Sequence, residues 1–209
     1  MRSARLRAVS VLVLSGSLRA KSVTDVVGRH VAAALVKAGI ATRLIAVREL
    51  ALPMYDPDVH TSKALPVIAP LFAAVKQARA LVWCTPAYHR TMSGSFKNVL
   101  DYFELMAADQ PAYLTGKAVG IIAVSGGIPA SVTAITSLEF AAHALRAYVV
   151  PYTVPVPFAD KLLDGDGKIA NAGIRTRIDV LVQEMGAFLA NYSDAVARPS
   201  VSHGAGAGS

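Results

Sequence analysis

The chain reads as a doubly wound α/β protein, a five-stranded parallel sheet with helices on both faces. Three observations lead there. Val9–Leu14, Ala80–Thr85 and Lys117–Val124 are short, nearly all apolar and rich in β-branched residues. They are too short for helices and lack the alternation of a half-exposed strand, so they are expected to be buried on both faces. Amphipathic runs of helical period separate them, giving the order β-α-β-α-β-α-β-α-β-α. The turns that leave three of the strands, Ser15–Ser22, Thr85–Ser93 and Ser125–Ile128, are rich in Gly, Ser and Pro. In such sheets ligands gather beyond the carboxyl ends of the strands.

The elements follow in order. After the first strand and its turn, Val23–Ala38 places Val23, Val26, Val27, His30, Val31, Ala34 and Leu35 on one helical face. Lys37 and Gly39 supply a cation and a C-cap. Ala41–Val47 is the second strand, and Glu49–Ser62, with Pro53, Asp56, Pro57 and Asp58, is a long loop. Asp56 and Asp58 show no ligand repeat and read as a solvated turn, so no metal site is expected. Leu65–Ala78 is a helix with Ile68, Leu71, Phe72 and Val75 inward, followed by the third strand, which ends at Pro86. Ser93–Met106 is a helix capped by Ser93, with Phe96, Val99, Leu100 and Phe103 on one face. Ala130–Leu145 is the next helix, Ala147 begins a last strand running toward Val156, and Ile174–Ala190 closes the fold. Residues 1–192 are expected to form one domain, and 193–209, which lack core-forming residues, a mobile tail.

Composition narrows the class. Apolar residues make up 54% and charged residues 17%, which suits a globular core and not a disordered chain. No apolar run reaches the ~20 residues that span a bilayer, so no membrane partner is expected. Arg2, Arg5 and Arg7 ahead of Ala8–Leu14 mimic a secretory signal, but ligand-loop residues follow where a cleavage site would stand. The single cysteine, Cys84, excludes an intramolecular disulfide and fits a reducing compartment, hence a cytoplasmic placement. The net charge of +7 is spread along the chain without a basic–aromatic run, so small anions are expected and nucleic acid is not.

The three turns together supply a particular chemistry. Ser17, Ser22 and Thr24 bring hydroxyls, Arg19 and Lys21 bring charge, and a helix N-terminus follows, a combination that suits a phosphate. Thr85–Lys97 brings flat side chains and a Ser93-Gly94 step, and Ser125-Gly126-Gly127 lets backbone approach where side chains would obstruct. A phosphate pocket beside a flat, glycine-lined slot suits a mononucleotide with a planar ring. The first turn lacks G-x-G-x-x-G and G-x-x-x-x-G-K-[ST], which disfavours dinucleotide binding of the Rossmann type and nucleoside-triphosphate hydrolysis.

With G-S-L-R-x-x-S at Gly16–Ser22, T-P-x-Y-H at Thr85–His89 and S-G-x-x-K-N-x-L-D at Ser93–Asp101, the chain resembles the NADPH-dependent FMN reductases, a flavodoxin-like family. The resemblance runs from about Val9 to Leu189. It implies that Ser17, Arg19, Ser22 and Thr24 hold the FMN phosphate. Pro86, Ala87, Tyr88 and His89 would line the ring and ribityl chain, the Ser93-Gly94 step would belong to the same cofactor set, and Ser125, Gly126 and Gly127 would line the ring's other edge. Met92 stands where many relatives carry an aromatic residue. Lys97 reads at least as well as an exposed helix lysine or a partner-subunit contact as it does as a direct flavin contact, Asp101 as structural or interfacial, and Cys84 as inert core.

The implied activity is hydride transfer from NADPH to FMN, then electron delivery to a small-molecule acceptor. That acceptor is free flavin for a flavin-dependent monooxygenase, a quinone, an azo compound or a metal ion. The cofactor carries the chemistry, so no catalytic acid or base is assigned. The competing reading is a flavodoxin-like electron carrier or redox sensor without NADPH turnover; a third is an anion-binding domain without flavin. The resemblance also implies a homodimer or homotetramer, with the Ser93–Met106 helix and the Glu49–Ser62 loop as candidate interface elements.

Overall fold

The computed structural model describes residues 10–62 and 66–191. The expectations for the basic leader, for Val9 as a strand start and for the tail at 193–209 lie outside the described residues. The helix expected from Leu65 begins only at Ala69, with residues 66–68 forming a turn ahead of it.

The first half of the chain runs β1 (Val11–Ser15), α1 (Val23–Lys37), β2 (Thr42–Ala46), α2 (Val47–Leu50), α3 (Ala69–Gln77), β3 (Ala80–Tyr88) and β4 (Thr91–Met92). The second half runs α4 (Gly94–Tyr102), a 3-10 turn (Phe103–Met106), β5 (Ala118–Val124), α5 (Ile128–Ala144), β6 (Tyr148–Val149), β7 (Val154–Val156) and α6 (Ala172–Asn191). The sheet order is β2-β1-β3-β5-β6, parallel throughout, with β7 also on β5 and β4 antiparallel on β3. Its order reverses between β1 and β3, the kind of point at which open α/β sheets form a crevice.

Among the described residues the expected five strands are seven, for two local reasons. The fifth sheet position is filled by two short segments, β6 pairing with Ala118 and Val119 and β7 with Ile122–Val124. Pro151 lies between them and has no N–H to continue the ladder. The other extra strand is β4, which folds back on the end of β3 through a two-residue turn. Strand β3 also runs through Pro86, where the sequence suggested an end. Cys84 C=O accepts from Gly16 N–H at 2.8 Å on the β1 side, so position 86 points the same way. There β1's register has already ended at Ser15↔Cys84, and no partner is lost.

Side chains of successive strand residues go to opposite layers. Leu12, Leu14, Leu81, Trp83, Ile121 and Ala123 pack in one cluster with α3, α4 and α5. Val11, Val13, Val82, Cys84, Ile122 and Val124 pack in the other with α1 and α6. Both faces of every central strand are buried, which is why the runs carry no polar alternation. Gly39, at φ +80, ends α1 as expected, its N–H donating to Val36 C=O at 2.9 Å. Ser93 caps α4, its hydroxyl accepting from Phe96 N–H at 3.3 Å.

Candidate functional site

The turn from β1 into α1 is fixed at its base before it reaches solvent. The Ser15 hydroxyl donates to the Asp25 carboxylate, tying the last residue of β1 to the first turn of α1. Ser22 Oγ caps α1 by accepting from Asp25 N–H at 3.3 Å. The Gly16 carbonyl accepts from the Ser95 hydroxyl at 2.8 Å and from the Ser93 hydroxyl at 3.2 Å, so α4's start is pinned to the same turn. A Cβ on Gly16 would lie 2.5 Å from Phe96 Cδ2, so only glycine permits this approach.

Above that base the turn offers free donors. Arg19 and Lys21 form no ion pair with any described residue. The first-turn N–H groups of Val23 and Thr24 have no acceptor within α1. Arg19 N–H meets Ser17 Oγ at 3.2 Å, which holds the turn's curvature. Two unpaired cations, hydroxyls and orphan N–H groups at a helix start form an anion-binding set.

A cleft of about 550 Å³ joins this turn to the other strand ends. It is lined by Ser17, Arg19, Lys21, Ser22 and Thr24 from the first turn, Pro86, Ala87 and Tyr88 from β3, and Ser125 and Gly126 after β5. Three stretches nearly 110 residues apart in sequence thus share one cavity, of a size suited to a small cofactor. Nothing lies within 4 Å of a Cβ built on Gly126, so backbone is open to a ligand there. These residues fit a phosphorylated, flat mononucleotide.

The remaining expected site residues stand apart from this cleft. His89 sits with Arg90 at the exposed tip of the β3–β4 hairpin, at φ 50 and 69. Ser93 is buried, its hydroxyl engaged with Gly16, Thr85 and Ser95. Gly94 opens onto a neighbouring cavity with Leu18, Val47 and Met54. Gly127 caps α5, and its carbonyl accepts from the Ser125 hydroxyl at 2.7 Å. Met92 is core, pairing with Ala87 across the hairpin. Lys97 and Asp101 pair with each other one turn apart on α4. Cys84 is fully buried, and desolvation, with the nearby Asp25 carboxylate adding to it, pushes its thiol far above the usual range. It stays a thiol, as expected for inert core.

Ala159 and Asp160, which also line the cleft, were not among the expected site residues. They follow β7, at the fifth sheet position, whereas the motif-bearing turns leave the first, third and fourth strands. The fifth position ends on the same sheet edge, which is the signal that points to them.

A doubly wound sheet with a mononucleotide-sized cleft at the ends of β1, β3 and β5 defines a flavodoxin-like fold. A model of the family "NADPH-dependent FMN reductase" matches residues 9–161, and the chain belongs to that family. It is 29% identical over 143 residues to the NADPH azoreductase of Bacillus sp. (strain OY1-2), covering 68% of this chain and 74% of that one. It is 28% identical over 183 residues to the NADPH-dependent FMN reductase ArsH of Shigella flexneri, covering 87% and 69%. Among solved structures, the flavoenzyme NAD(P)H:(acceptor) oxidoreductase FerB from Paracoccus denitrificans superposes with a TM-score of 0.64 at 20% identity. That match covers 85% of this chain and 97% of FerB. The protein is an NAD(P)H-dependent flavin oxidoreductase that uses FMN.

Proposed function

We propose that FMN occupies the cleft between the β1–α1 turn and the ends of β3 and β5, its phosphate on Arg19, Ser17, Ser22 and Thr24. The observation that carries this reading is the single cavity shared by those residues with Pro86–Tyr88 and Ser125–Gly126. When bound, FMN supplies the hydride and electron chemistry. The chain's part is to anchor, orient and leave one side open. Arg19 and the α1 N-terminus fix the phosphate end, Tyr88 and the Ser125-Gly126 backbone bound the slot, and Ser15–Asp25 keeps the turn rigid. No side chain is assigned a proton-transfer role.

The acceptor is a small oxidised molecule, with quinones and azo compounds favoured because relatives carry the names "Quinone reductase" and "NADPH azoreductase". We place the protein in the cytoplasm, on the strength of its single buried thiol. Self-association is proposed through α5, whose outer face exposes Ile128, Val132 and Phe140, the last 72% exposed. The apolar face of α4, expected at an interface, is instead spent on the protein's own core. A monomeric mass in solution would contradict the α5 proposal.

Titration of FMN into the wild type and Arg19→Ala tests the site. Arg19→Ala is expected to weaken FMN at least about tenfold by removing a charge-assisted bond, with riboflavin, which lacks the phosphate, unaffected. Equal FMN affinity in both proteins would place the phosphate elsewhere.

A further inference from the structure

The turn after β1 holds a buried donor with no acceptor among the described residues. Ser17 is 2% exposed and lines the cleft, yet its backbone N–H makes no hydrogen bond there. Buried backbone N–H groups in folded proteins are nearly always paired. An orphan beside a cleft therefore points to a ligand atom as its partner, provided that the N–H is aimed the right way.

Its direction is set from behind. The Gly16–Ser17 peptide is trans, since Gln110–Pro111 is the only cis bond among the described residues. Gly16 C=O and Ser17 N–H thus point in opposite directions across one rigid plane. Gly16 C=O accepts from the Ser95 hydroxyl at 2.8 Å and from the Ser93 hydroxyl at 3.2 Å. Both serines stand at the start of α4, which packs in the layer of α3 and α5. Ser17 N–H is therefore turned away from α4, to the side of α1, where Arg19, Ser22 and Thr24 line the cleft. Gly16 N–H, bonded to Cys84 C=O at 2.8 Å, fixes the preceding peptide and leaves this one free to rotate. Gly16 has no Cβ to resist that rotation. The two hydroxyls are the bonds that hold this peptide among the described residues.

We infer that Ser95 and Ser93 are positioning residues for the phosphate, their hydroxyls locking the Gly16–Ser17 peptide with Ser17 N–H aimed at the anion. The proposal rests on the flavin reading of the cleft and gives a part in phosphate recognition to two residues that do not line it. Ser93 is itself held in place, its N–H donating to Thr85 Oγ1 at 3.4 Å and its hydroxyl lying 3.2 Å from the same oxygen. An N–H that donates to an anion polarises its peptide and makes the carbonyl a stronger acceptor, so the serine bonds tighten as the phosphate binds.

The test compares FMN with riboflavin, which lacks the phosphate, by flavin fluorescence without turnover. Ser95→Ala comes first, because Ser93 also caps α4; the double variant Ser93→Ala/Ser95→Ala removes both hydroxyls. FMN is expected to bind about threefold more weakly to the first and about tenfold more weakly to the second, with riboflavin changed by less than about twofold. Ser95→Thr keeps the hydroxyl and has a neighbouring cavity for its methyl group, so it should bind FMN as the wild type does. By NMR, the Ser17 amide proton of the wild type should move downfield on adding FMN or inorganic phosphate alone, and the double variant should lose that shift. Riboflavin weakened as much as FMN overturns the proposal, because the effect then lies in the start of α4. Unchanged FMN affinity in the double variant overturns it too, as does a wild-type Ser17 amide that ignores phosphate. Wild type that binds neither flavin, but whose Ser17 amide still responds to phosphate through the two serines, would refute the flavin reading and leave the peptide lock standing.

Discussion

Gly16 and Gly126 look alike in sequence, each in a serine-rich turn after a buried strand, yet they answer to different constraints. A methyl group on Gly16 meets the Phe96 ring, itself fully buried and edge-on to Trp83 at 5.8 Å between centroids. A methyl group on Gly126 meets nothing within 4 Å. Gly16→Ala should therefore destabilise the fold by about 1–3 kcal/mol, as overpacking does, lowering the melting temperature by several degrees. Gly126→Ala should melt as the wild type does. Matching melting curves for Gly16→Ala and wild type would contradict the packing argument. The sequence shows that both glycines sit in turns. It does not show that Phe96, eighty residues on, is what forbids a side chain at one of them. The same distinction separates Arg19 from Lys97. Both are cations within motifs, but only Arg19 lacks an ion-pair partner among the described residues, while Lys97 is paired with Asp101.

At the scale of elements, residues 51–62 were legible as a loop, but Val47, expected at the end of a strand, and Glu49, expected in the loop, belong to the short helix α2, and what holds the loop was not legible. Its middle is pinned to α4 by one side chain. Asn98 Oδ1 accepts from Tyr55 N–H at 2.8 Å, and Asn98 Nδ2 donates to Pro53 C=O at 2.8 Å. The His60 ring lies edge-on to Tyr102 at 5.2 Å between centroids, and its Nδ1 accepts from Asp56 N–H at 2.9 Å. Replacing Asn98 with Ala should cost about 1–3 kcal/mol and speed hydrogen exchange at the Tyr55 amide by about tenfold or more. The amides of β1 and β3 should keep their protection relative to global stability. Unchanged exchange at Tyr55 would mean the aromatic stack alone holds the loop. The β3–β4 hairpin was illegible for a different reason. Its turn places His89 and Arg90 at positive φ, where Asn and Gly are the usual occupants, so no local signal announces it.

For the whole molecule, the doubly wound plan was readable because strands buried on both faces write themselves as unbroken apolar runs, and Val11–Ser15 and Ala118–Val124 are buried throughout. The cleft was readable where its residues sit in motifs, as at Arg19 and Tyr88. It was not where they do not, as at Asp160, which only the shared sheet edge brings in. The exposed apolar face of α5 was equally hidden, since periodicity distinguishes faces but not which of two apolar stretches the core will take. Fold and activity meet in the cleft, proposed to hold the FMN that NADPH reduces. The most direct test is an anaerobic titration of the FMN-loaded protein with NADPH, following the flavin and nicotinamide bands together. The flavin band is expected to bleach in step with NADPH oxidation, and an added quinone to restore it. FMN that binds tightly and keeps its oxidised spectrum in excess NADPH would rule out NADPH reduction in this cleft.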